Sequence, residues 1–274
     1  MASGQAQGAG RLLVPAYPHE VLAVVLSVRE AVLCVLMWQR ARDPFEGRWA
    51  LPGGGVGAGV RLRAAILGHL ADKVELPKVA HLEQLATHSN VGRDPRGRVL
   101  ATAYLAIVPS CAAPALPEDT AWLAVDDLPA TAFDHSEFIS AALDRLRAKL
   151  SYTNIGFALA PEQFTLSTLR DIVSAALGYP VTQTNLARVM TRRQLIEPTG
   201  ELIPPGRAGG RPGMSYRFRS HELLVTDPFA VLRPPAGPAK AHRRASSEVV
   251  EGILGPVLPA RRPPVGGPIA AVGA

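Results

Sequence analysis

Runs of hydrophobic residues divide the chain into predicted elements. Two runs of eight residues, 21–28 and 31–38, are rich in Val and Leu and are separated by Arg29 and Glu30. Short runs of this composition around a polar pair predict two strands joined by a tight turn. Further strand-like segments follow at 81–87, 99–108 and 121–125.

Two other segments of this half carry apolar residues at helical spacing. In residues 61–74 and 135–150 the apolar positions recur three or four residues apart, which predicts amphipathic helices. Residues 51–59, with five glycines and one proline, predict a loop before the first helix. Strands mixed with two helices predict an α+β or α/β domain over residues 18–150, of which we favour α+β, after a flexible leader at residues 1–17.

The pattern changes after residue 150. Thr165 precedes a helical stretch that ends at Gly178, as expected for a capped helix with a glycine stop. A second helical stretch follows at 182–194, with its apolar residues on one side. Two helices joined by a turn of about four residues are typical of a helix-turn-helix, in which the second helix reads DNA.

Residues beyond the second helix predict a wing and then a tail. Two strand-like segments, 195–198 and 214–219, flank a segment at 204–213 that is rich in Gly, Pro and Arg. Such a hairpin would complete a winged helix over residues 151–224, and a structural helical hairpin without nucleic acid is the alternative. Residues 225–274 are rich in Pro, Ala and Gly without a sustained period, which predicts a disordered tail.

Positive charge is concentrated in the second half of the chain. Residues 1–150 carry 15 basic and 15 acidic residues, so the net charge of +6 lies entirely after residue 150. Seven arginines between positions 182 and 219 face only Glu197 and Glu201. This excess is expected of a phosphate-binding surface, although an ordinary solvated basic face would show it too.

Composition narrows the class of protein further. Hydrophobic residues make up 47% and charged residues 19% of the 274 residues, which suffices for folded cores. The apolar runs are far shorter than the roughly 20 residues of a membrane helix, and no secretory signal is readable. We therefore expect a cytoplasmic protein. Cys34 and Cys111 lie in apolar runs, which favours buried free thiols over a disulfide or a metal site.

The glycine-rich loop and the helix after it resemble a Nudix box, G-x5-E-x7-R-E-U-x-E-E-x-G-U, where U is aliphatic. When Gly54 is aligned with the first glycine, the aliphatic positions are kept as Leu70 and Leu76. The positions of the charged residues and the late glycine fall on Val60, Gly68, His69, Asp72, Lys73 and Glu75.

This box lacks the chemistry of a hydrolase. Hydrolysis of a diphosphate requires clustered carboxylates that hold Mg²⁺ against the phosphate charge. Asp72 is a single carboxylate, and it stands beside Lys73. We therefore predict no catalytic residues, no metal, no required cofactor and no hydrolysis, with the helix retained for packing.

Several segments, taken in order, resemble one family of regulators. They are Trp49-Ala50-Leu51-Pro52-Gly53-Gly54, Leu82-Glu83-Gln84-Leu85, Arg93-Asp94-Pro95-Arg96-Gly97-Arg98, Phe133-Asp134-His135, Phe164-Thr165-Leu166, Asn185 with Arg188, and Gly210-Arg211-Pro212. Over about residues 20–222 the chain is similar to the Nudix-related transcriptional regulator family of NAD metabolism, from which its box departs as described.

The resemblance implies both a fold and a function. The fold would be a Nudix-like α/β/α sandwich followed by a winged helix-turn-helix. The function would be that of a dimeric repressor of NAD biosynthesis or salvage genes, bound to double-stranded DNA. ADP-ribose or a related NAD-derived nucleotide would be the effector that releases the DNA, with NAD, NADH and ATP as alternatives.

Candidate DNA contacts come from the polar side of the second helix and from the wing. We predict that base edges are reached by Thr184, Asn185, Arg188 and Thr191. Phosphates would be held by Arg192, Arg193, Arg207, Arg211 and Arg217, and Thr182 at the start of the helix completes the set.

A second candidate site is the arginine-rich turn at 93–98. Planar guanidinium groups are suited to the oxygens of a diphosphate. The candidate effector-binding residues are Arg48, Arg93, Arg96 and Arg98. The alternative is a surface turn whose arginines pair with Asp94, Glu83 or a partner subunit.

Two further expectations concern assembly and coupling. One winged helix reads a short half-site, so we expect a homodimer on a pseudo-palindromic operator. Segment 135–157 joins the two predicted domains and is the expected transmitter, unless its helix only caps the first core. The competing classes are a Nudix-type pyrophosphohydrolase with a basic accessory domain and a constitutive DNA-binding scaffold.

Overall fold

The computed structural model describes residues 16–204 and 212–227. The predicted leader therefore lies outside the described residues except for 16–17, and the predicted tail except for 225–227. The first half contains β1 (His19–Arg29), β2 (Val32–Gln39), β3 (Trp49–Ala50), β4 (Gly53–Gly55), α1 (Leu62–Val74), β5 (His81–His88), β6 (Leu100–Ile107), β7 (Thr120–Ala124) and α2 (His135–Tyr152). The second half contains α3 (Leu166–Leu177), α4 (Gln183–Arg192), β8 (Ile196–Ile203) and β9 (Gly213–Phe218).

The seven strands of the first half form one mixed sheet. Its path runs β3-β2-β1-β6-β5, with β4 paired to β1 and β7 paired to β2. Strands β1 and β6 run parallel, whereas the other pairs are antiparallel. The turn between β1 and β2 is made by Glu30 and Ala31, one residue later than expected, and both have positive φ (48° and 62°) as a tight hairpin requires.

The sheet is covered on both faces, which confirms the α/β/α sandwich. Alternate residues of β1 point to opposite sides. Val24 and Leu26 share a core cluster with Phe138 of α2. Val25, on the other face, belongs to the cluster that contains Leu70 of α1.

The glycine-rich segment is not the simple loop that its composition predicts. Gly53, Gly54 and Gly55 pair with Leu22, Val21 and Glu20 as strand β4. A Cβ on Gly53 would lie 2.1 Å from the carbonyl oxygen of Val21, so the close approach requires glycine. The loop prediction is wrong for these three residues because glycines without side chains can lie against the backbone of β1.

The second half has the predicted helix-turn-helix. Thr165 caps α3 by accepting a hydrogen bond from the amide of Thr168 at 3.1 Å, and Gly178 ends it with a φ of 79°. Thr182 caps α4 by accepting from the amide of Asn185 at 3.4 Å. Helix α4 ends at Arg192, two residues before the predicted end.

Strands β8 and β9 form the hairpin of the wing. Ile196 pairs with Phe218 and Ile203 with Gly213, so both strands begin or end beyond the predicted bounds. Predicted phosphate contacts Arg207 and Arg211 lie outside the described residues. After the hairpin the chain returns to α2, where Val225 bridges Thr153, so residues 225–227 contribute to the fold.

The sandwich and the winged helix share a hydrophobic core. Phe157, Leu159 and Phe164 belong to the same buried cluster as residues of β1, α2 and α3. The amide of Ser110, after β6, donates a 2.8 Å hydrogen bond to the carbonyl of Leu159. Among the helices in the described part of the chain, none is long and apolar enough to cross a membrane.

Candidate functional site

A cleft of about 370 Å³ opens where β4 meets the arginine-rich turn. Gly55 of the glycine strand, Glu20 of β1, and Asp94, Arg96 and Arg98 of the turn all line it. Two of the four predicted effector residues are thus brought to the glycine strand from about forty positions away in the sequence. Acidic and basic side chains therefore both face this cleft, which adjoins the degenerate box.

Arg93 lies beneath this cleft rather than in its wall. Its side chain is 1% exposed, and its guanidinium donates to Asp134 through Nε (3.0 Å) and Nη2 (2.8 Å) and to Glu20 through Nη1 (2.6 Å). Burial alone would lower the pKa of Arg93, but the bonds to Asp134 and Glu20 raise it. All three nitrogens are used within the protein, so this geometry leaves Arg93 to position the turn.

Arg96 faces solvent and is held by its neighbour in the turn. Its Nη2 donates to Asp94 at 2.6 Å while 57% of the side chain remains exposed. The bond from Arg96 lowers the pKa of Asp94. The pairing of a turn arginine with Asp94, which the sequence left open, is therefore present. Glu83, the other acidic residue considered, pairs with Arg145 and Lys149 instead.

The other two predicted effector residues are exposed and lie near aromatic rings. The guanidinium carbon of Arg98 lies 4.8 Å from the ring centre of Tyr17. That of Arg48 lies 5.6 Å from the ring centre of Phe45, and Arg48 is not among the lining residues of the cleft. Arg98 can thus contact a ligand in the cleft directly, whereas Arg48 lies outside it.

Side chains at the degenerate box positions bind the backbone of β4. The Nε2 atom of His69 lies 3.0 Å from the carbonyl oxygen of Gly55, and the Lys73 ammonium donates to that of Gly53 at 2.6 Å. The Lys73 nitrogen also lies 5.4 Å from the ring centre of Trp38. A helix that carries metal-binding carboxylates in Nudix hydrolases here presents an imidazole and an ammonium to the glycine strand.

These donors do not fit the divalent cation of Nudix hydrolases. Mg²⁺ requires oxygen ligands, whereas an ammonium repels it. Within residues 16–204 and 212–227 no group of three His, Cys, Asp or Glu side chains could hold a metal ion. The loop and helix that resemble the box are thus combined with side chains that differ from the carboxylates of a hydrolase.

His135 supports the glycine strand from behind and was not a predicted site residue. It is 3% exposed, and its Nδ1 accepts a 3.0 Å hydrogen bond from the amide of Leu51. Burial lowers its pKa to about 3. The ring is therefore neutral, as an acceptor at Nδ1 requires.

Helix α4 presents a polar face to solvent. The predicted contact residues on it are all exposed: Thr182, Thr184, Asn185, Arg188, Thr191 and Arg192. Leu186 on the other side is buried. The Nη2 of Arg188 donates to the side-chain oxygen of Asn185 at 2.9 Å, so these two residues form one hydrogen-bonding pair on the exposed face.

The remaining predicted phosphate contacts have different environments. Arg193 is 4% exposed and points inward, where its Nη2 donates to the Ser151 carbonyl at 2.7 Å and to Asp227 at 3.3 Å. Arg217 on β9 is 58% exposed and pairs with Glu197 at 2.8 Å. Arg217 thus lies on the surface as predicted, whereas Arg193 links α4 to the end of α2.

A Nudix-type sandwich joined to a winged helix with an exposed polar face defines a class of two-domain transcriptional regulators. Residues 17–142 match the family described as the NUDIX domain, and residues 156–218 match the NrtR DNA-binding winged helix domain. The chain is 33% identical over 217 residues to the "ADPR responsive transcriptional repressor NtrR" of Acinetobacter baylyi, covering 74% of this chain and 83% of that protein. It belongs to the NrtR family of Nudix-related transcriptional regulators.

Further relatives cover one or both domains. The crystal structure of Shewanella oneidensis NrtR complexed with a 27mer DNA has a TM-score of 0.62 and 32% identity, over 73% of this chain and 93% of that one. The ADP-ribose pyrophosphatase of Methanocaldococcus jannaschii is 32% identical over 126 residues, 45% of this chain and 73% of that enzyme. The enzyme is thus similar to less than half of this chain.

Proposed function

We propose that the protein is a DNA-binding transcriptional repressor whose Nudix-like domain binds ADP-ribose, or a related NAD-derived nucleotide, and thereby releases the DNA. Its target genes would be those of NAD biosynthesis or salvage. The exposed polar face of α4, on a capped helix with a buried apolar side, carries the DNA-binding part of this proposal. The relative from Acinetobacter baylyi, named as ADPR responsive, supports the effector.

DNA reading is assigned to α4 because its exposed side chains suit base edges. Arg188 and Asn185 offer donors and acceptors of the kind that read guanine and adenine in the major groove, with Thr184 and Thr191 beside them. Arg192 and Arg217 are the exposed cations that would hold phosphates. The DNA-bound relative of similar fold supports this placement.

Effector binding is assigned to the cleft beside β4. Arg96 and Arg98 line it and are exposed, so their free donors can meet diphosphate oxygens. Arg93 holds the turn in place through Glu20 and Asp134. Arg48 would contact the nucleotide only if the ligand extends beyond the cleft towards Phe45.

The proposed role of the first domain is binding without hydrolysis. Val60, Gly68, His69 and Lys73 supply no carboxylate at the box positions. Catalysis of diphosphate cleavage draws much of its transition-state stabilisation from metal ions. Incubation with ADP-ribose and Mg²⁺ or Mn²⁺ should therefore release no AMP above a protein-free blank, and measurable turnover would favour the pyrophosphohydrolase instead.

A homodimer is part of the proposal. One α4 helix spans a short half-site, and two copies on a pseudo-palindrome supply the specificity that a genome requires. Light scattering of the protein–DNA complex should give the mass of two chains plus that of the duplex. A single chain mass both free and on DNA would contradict this assembly.

The decisive experiment compares two arginines of the same helix. Arg188→Ala should lose about 1–3 kcal/mol of discrimination at one base pair of the operator, because it removes a base contact. Arg192→Ala, the matched control, should weaken all sequences alike. Mobility shifts on the protein's own promoter region, its single-base variants and random duplex measure both effects, and equal binding of promoter and random duplex by the unmodified protein would refute the function.

A further inference from the structure

Glu20 contributes a carboxylate to the wall of the effector cleft, together with the arginines of the turn. Its side chain is 20% exposed, and its Oε1 accepts a 2.6 Å hydrogen bond from Nη1 of Arg93. In the described part of the chain, no donor bonds to its Oε2. One oxygen of Glu20 is therefore held by the protein, while the other is free to accept a hydrogen bond from a ligand.

Asp94, the other carboxylate that lines the cleft, is used within the turn. Its side chain is 1% exposed. Its Oδ1 accepts a hydrogen bond from the amide of Arg96 at 2.9 Å, and its Oδ2 accepts one from Nη2 of the same residue at 2.6 Å. Of the two carboxylates that line the cleft, Glu20 is thus the one that offers an acceptor to a ligand.

Arg93 fixes the position of the Glu20 carboxylate before any ligand arrives. The Arg93 side chain is 1% exposed, and its Nε and Nη2 are both bonded to Asp134, at 3.0 and 2.8 Å. A guanidinium held at two nitrogens keeps its third in a defined direction, so the bond to Glu20 is directed as well. An acceptor that is already ordered adds little conformational entropy cost when a ligand binds to it.

A carboxylate in this position does not suit phosphate alone. Phosphate oxygens and Glu20 carry like charges and repel each other, so a cleft that recognised only phosphate would be weakened by this residue. The ribose hydroxyls of a nucleotide are neutral donors that lie close to its phosphates. Carboxylates accept hydrogen bonds from ribose hydroxyls in dinucleotide-binding folds, where an added phosphate at that hydroxyl is not accommodated by the acid. Hydroxyl recognition therefore explains an acid beside Arg96 and Arg98.

We propose that Glu20 is a specificity-determining residue, which accepts a hydrogen bond from a ribose hydroxyl of the bound nucleotide. This inference rests on the proposed function, because it specifies what the effector cleft recognises besides phosphate. ADP-ribose contains two riboses, one that carries the adenine and one at the other end of the diphosphate. Both supply such hydroxyls, and the experiment distinguishes them.

Calorimetric titration of the full chain with ADP-ribose, ADP and ADP-ribose 2′-phosphate tests the proposal. ADP lacks the terminal ribose, and the 2′-phosphate blocks a hydroxyl of the ribose that carries the adenine. Glu20→Gln keeps an oxygen for Arg93 but loses a charge-assisted hydrogen bond to the ligand, so ADP-ribose should bind about tenfold more weakly.

The other two nucleotides identify the ribose that Glu20 contacts. If it is the terminal ribose, Glu20→Gln should weaken ADP-ribose 2′-phosphate as much as ADP-ribose and leave ADP within about threefold. If it is the ribose that carries the adenine, the variant should weaken ADP and ADP-ribose alike. It should then no longer weaken ADP-ribose 2′-phosphate, because the repulsion between carboxylate and phosphate is removed.

Asp134→Asn is the matched control, since it alters the other carboxylate that holds Arg93 at a residue that does not line the cleft. It should change all three affinities by one common factor. Unchanged DNA affinity without nucleotide shows that each variant is folded. If Glu20→Gln does not fold, the unmodified protein carries the test, because it should bind ADP or ADP-ribose 2′-phosphate at least about tenfold more weakly than ADP-ribose.

A common factor for all three nucleotides in Glu20→Gln would leave Glu20 only its bond to Arg93 and overturn the proposal. Unchanged affinity of that variant for ADP-ribose, or equal binding of the three nucleotides by the unmodified protein, would overturn it as well. Either selective pattern without release of DNA would refute the effector response and leave this inference standing. Release of DNA by ADP-ribose together with a common factor would refute the inference alone, and absence of binding by all three nucleotides would refute both.

Discussion

Arg93 connects three parts of the chain that are distant in sequence. It reaches Glu20 on β1 and Asp134 at the start of α2 from the turn that follows β5. Of these two carboxylates, Asp134 lies in a segment that resembles the regulator family, and Glu20 does not. The arginines of the turn therefore differ in role: Arg93 fixes its position, and Arg96 and Arg98 are presented to the cleft.

Removal of Arg93 should destabilise the fold more than removal of Arg96. Arg93→Ala leaves two largely buried carboxylates without a cation, and breaking a buried ion pair costs about 3–5 kcal/mol. Arg96→Ala removes the guanidinium bonds to Asp94, whose side chain is 1% exposed, but keeps the bond from the backbone amide of residue 96, so we expect a smaller loss of about 1–3 kcal/mol. Urea unfolding of both variants measures the difference, and equal free energies of unfolding would contradict the buried role of Arg93.

His135 should make stability depend on pH in the mildly acidic range. Its pKa is about 3 in the folded protein, below the ordinary value of 6.5, so the unfolded chain takes up a proton that the folded protein excludes. Stability is therefore complete above pH 6.5 and falls as the pH drops towards 3, by at most about 1.4 kcal/mol per pH unit. Urea unfolding at pH 7, 6 and 5 should show this loss. His135→Asn, which keeps an acceptor for Leu51 but does not titrate, should reduce the slope, and an unchanged slope would assign the loss to other groups.

At the scale of elements, the end of α4 separates two arginines that are adjacent in sequence. The Arg192 side chain is 69% exposed, with Nη2 3.8 Å from Asp227, whereas the Arg193 side chain is 4% exposed and turns inward to the Ser151 carbonyl and Asp227. Arg192→Ala should reduce the salt dependence of DNA binding by about one phosphate contact, a slope change of about 0.9. Arg193→Ala should leave that slope unchanged and lower the free energy of unfolding. Mobility shifts at several salt concentrations distinguish the two variants, and equal slope changes would place Arg193 on the phosphates as well.

Most elements were predictable because each has a local signal. The caps Thr165 and Thr182 and the stop at Gly178 fix the helices of the second domain through contacts within a few residues. Strand β4 was missed because its glycines pair with β1, and their fit depends on the carbonyl of Val21. Three consecutive glycines show no alternation of apolar and polar residues that would predict a strand.

The candidate sites were predictable to a smaller degree. Exposed residues of α4 follow from helical geometry, so Asn185, Arg188 and Arg192 appear on the face where the sequence places them. The inward turn of Arg193 depends on Asp227, 34 residues later, and could not be read from its helix. In the sequence, Lys73 stands only for the loss of a carboxylate from the box. The structure shows that its ammonium donates a hydrogen bond to the carbonyl of Gly53.

At the scale of the whole molecule, α2 connects the two candidate sites. Its N-terminal cap, Asp134, is bonded to Arg93 beneath the cleft. At its other end, the Ser151 carbonyl accepts a hydrogen bond from Arg193 at the end of α4. An 18-residue helix is about 27 Å long, so a small tilt at the cleft would displace α4 as a unit.

This arrangement predicts a reciprocal coupling that runs through Arg193. If ADP-ribose weakens DNA binding by a given factor, DNA must weaken ADP-ribose binding by the same factor, and couplings of this kind are typically about 1–3 kcal/mol. Titration of the protein–DNA complex with ADP-ribose at fixed salt, and of the protein with ADP-ribose in the presence and absence of operator, gives the two factors.

Arg193→Ala should keep both separate affinities within about threefold and reduce the coupling, because it removes the bond between α2 and α4 while leaving the cleft and the exposed face of α4 intact. Arg192→Ala, the neighbouring control, should weaken DNA binding and keep the coupling. Full coupling in Arg193→Ala would rule out this contact as the transmitter, and a lack of response to ADP-ribose, NAD, NADH and ATP alike would identify the protein as a constitutive DNA-binding scaffold.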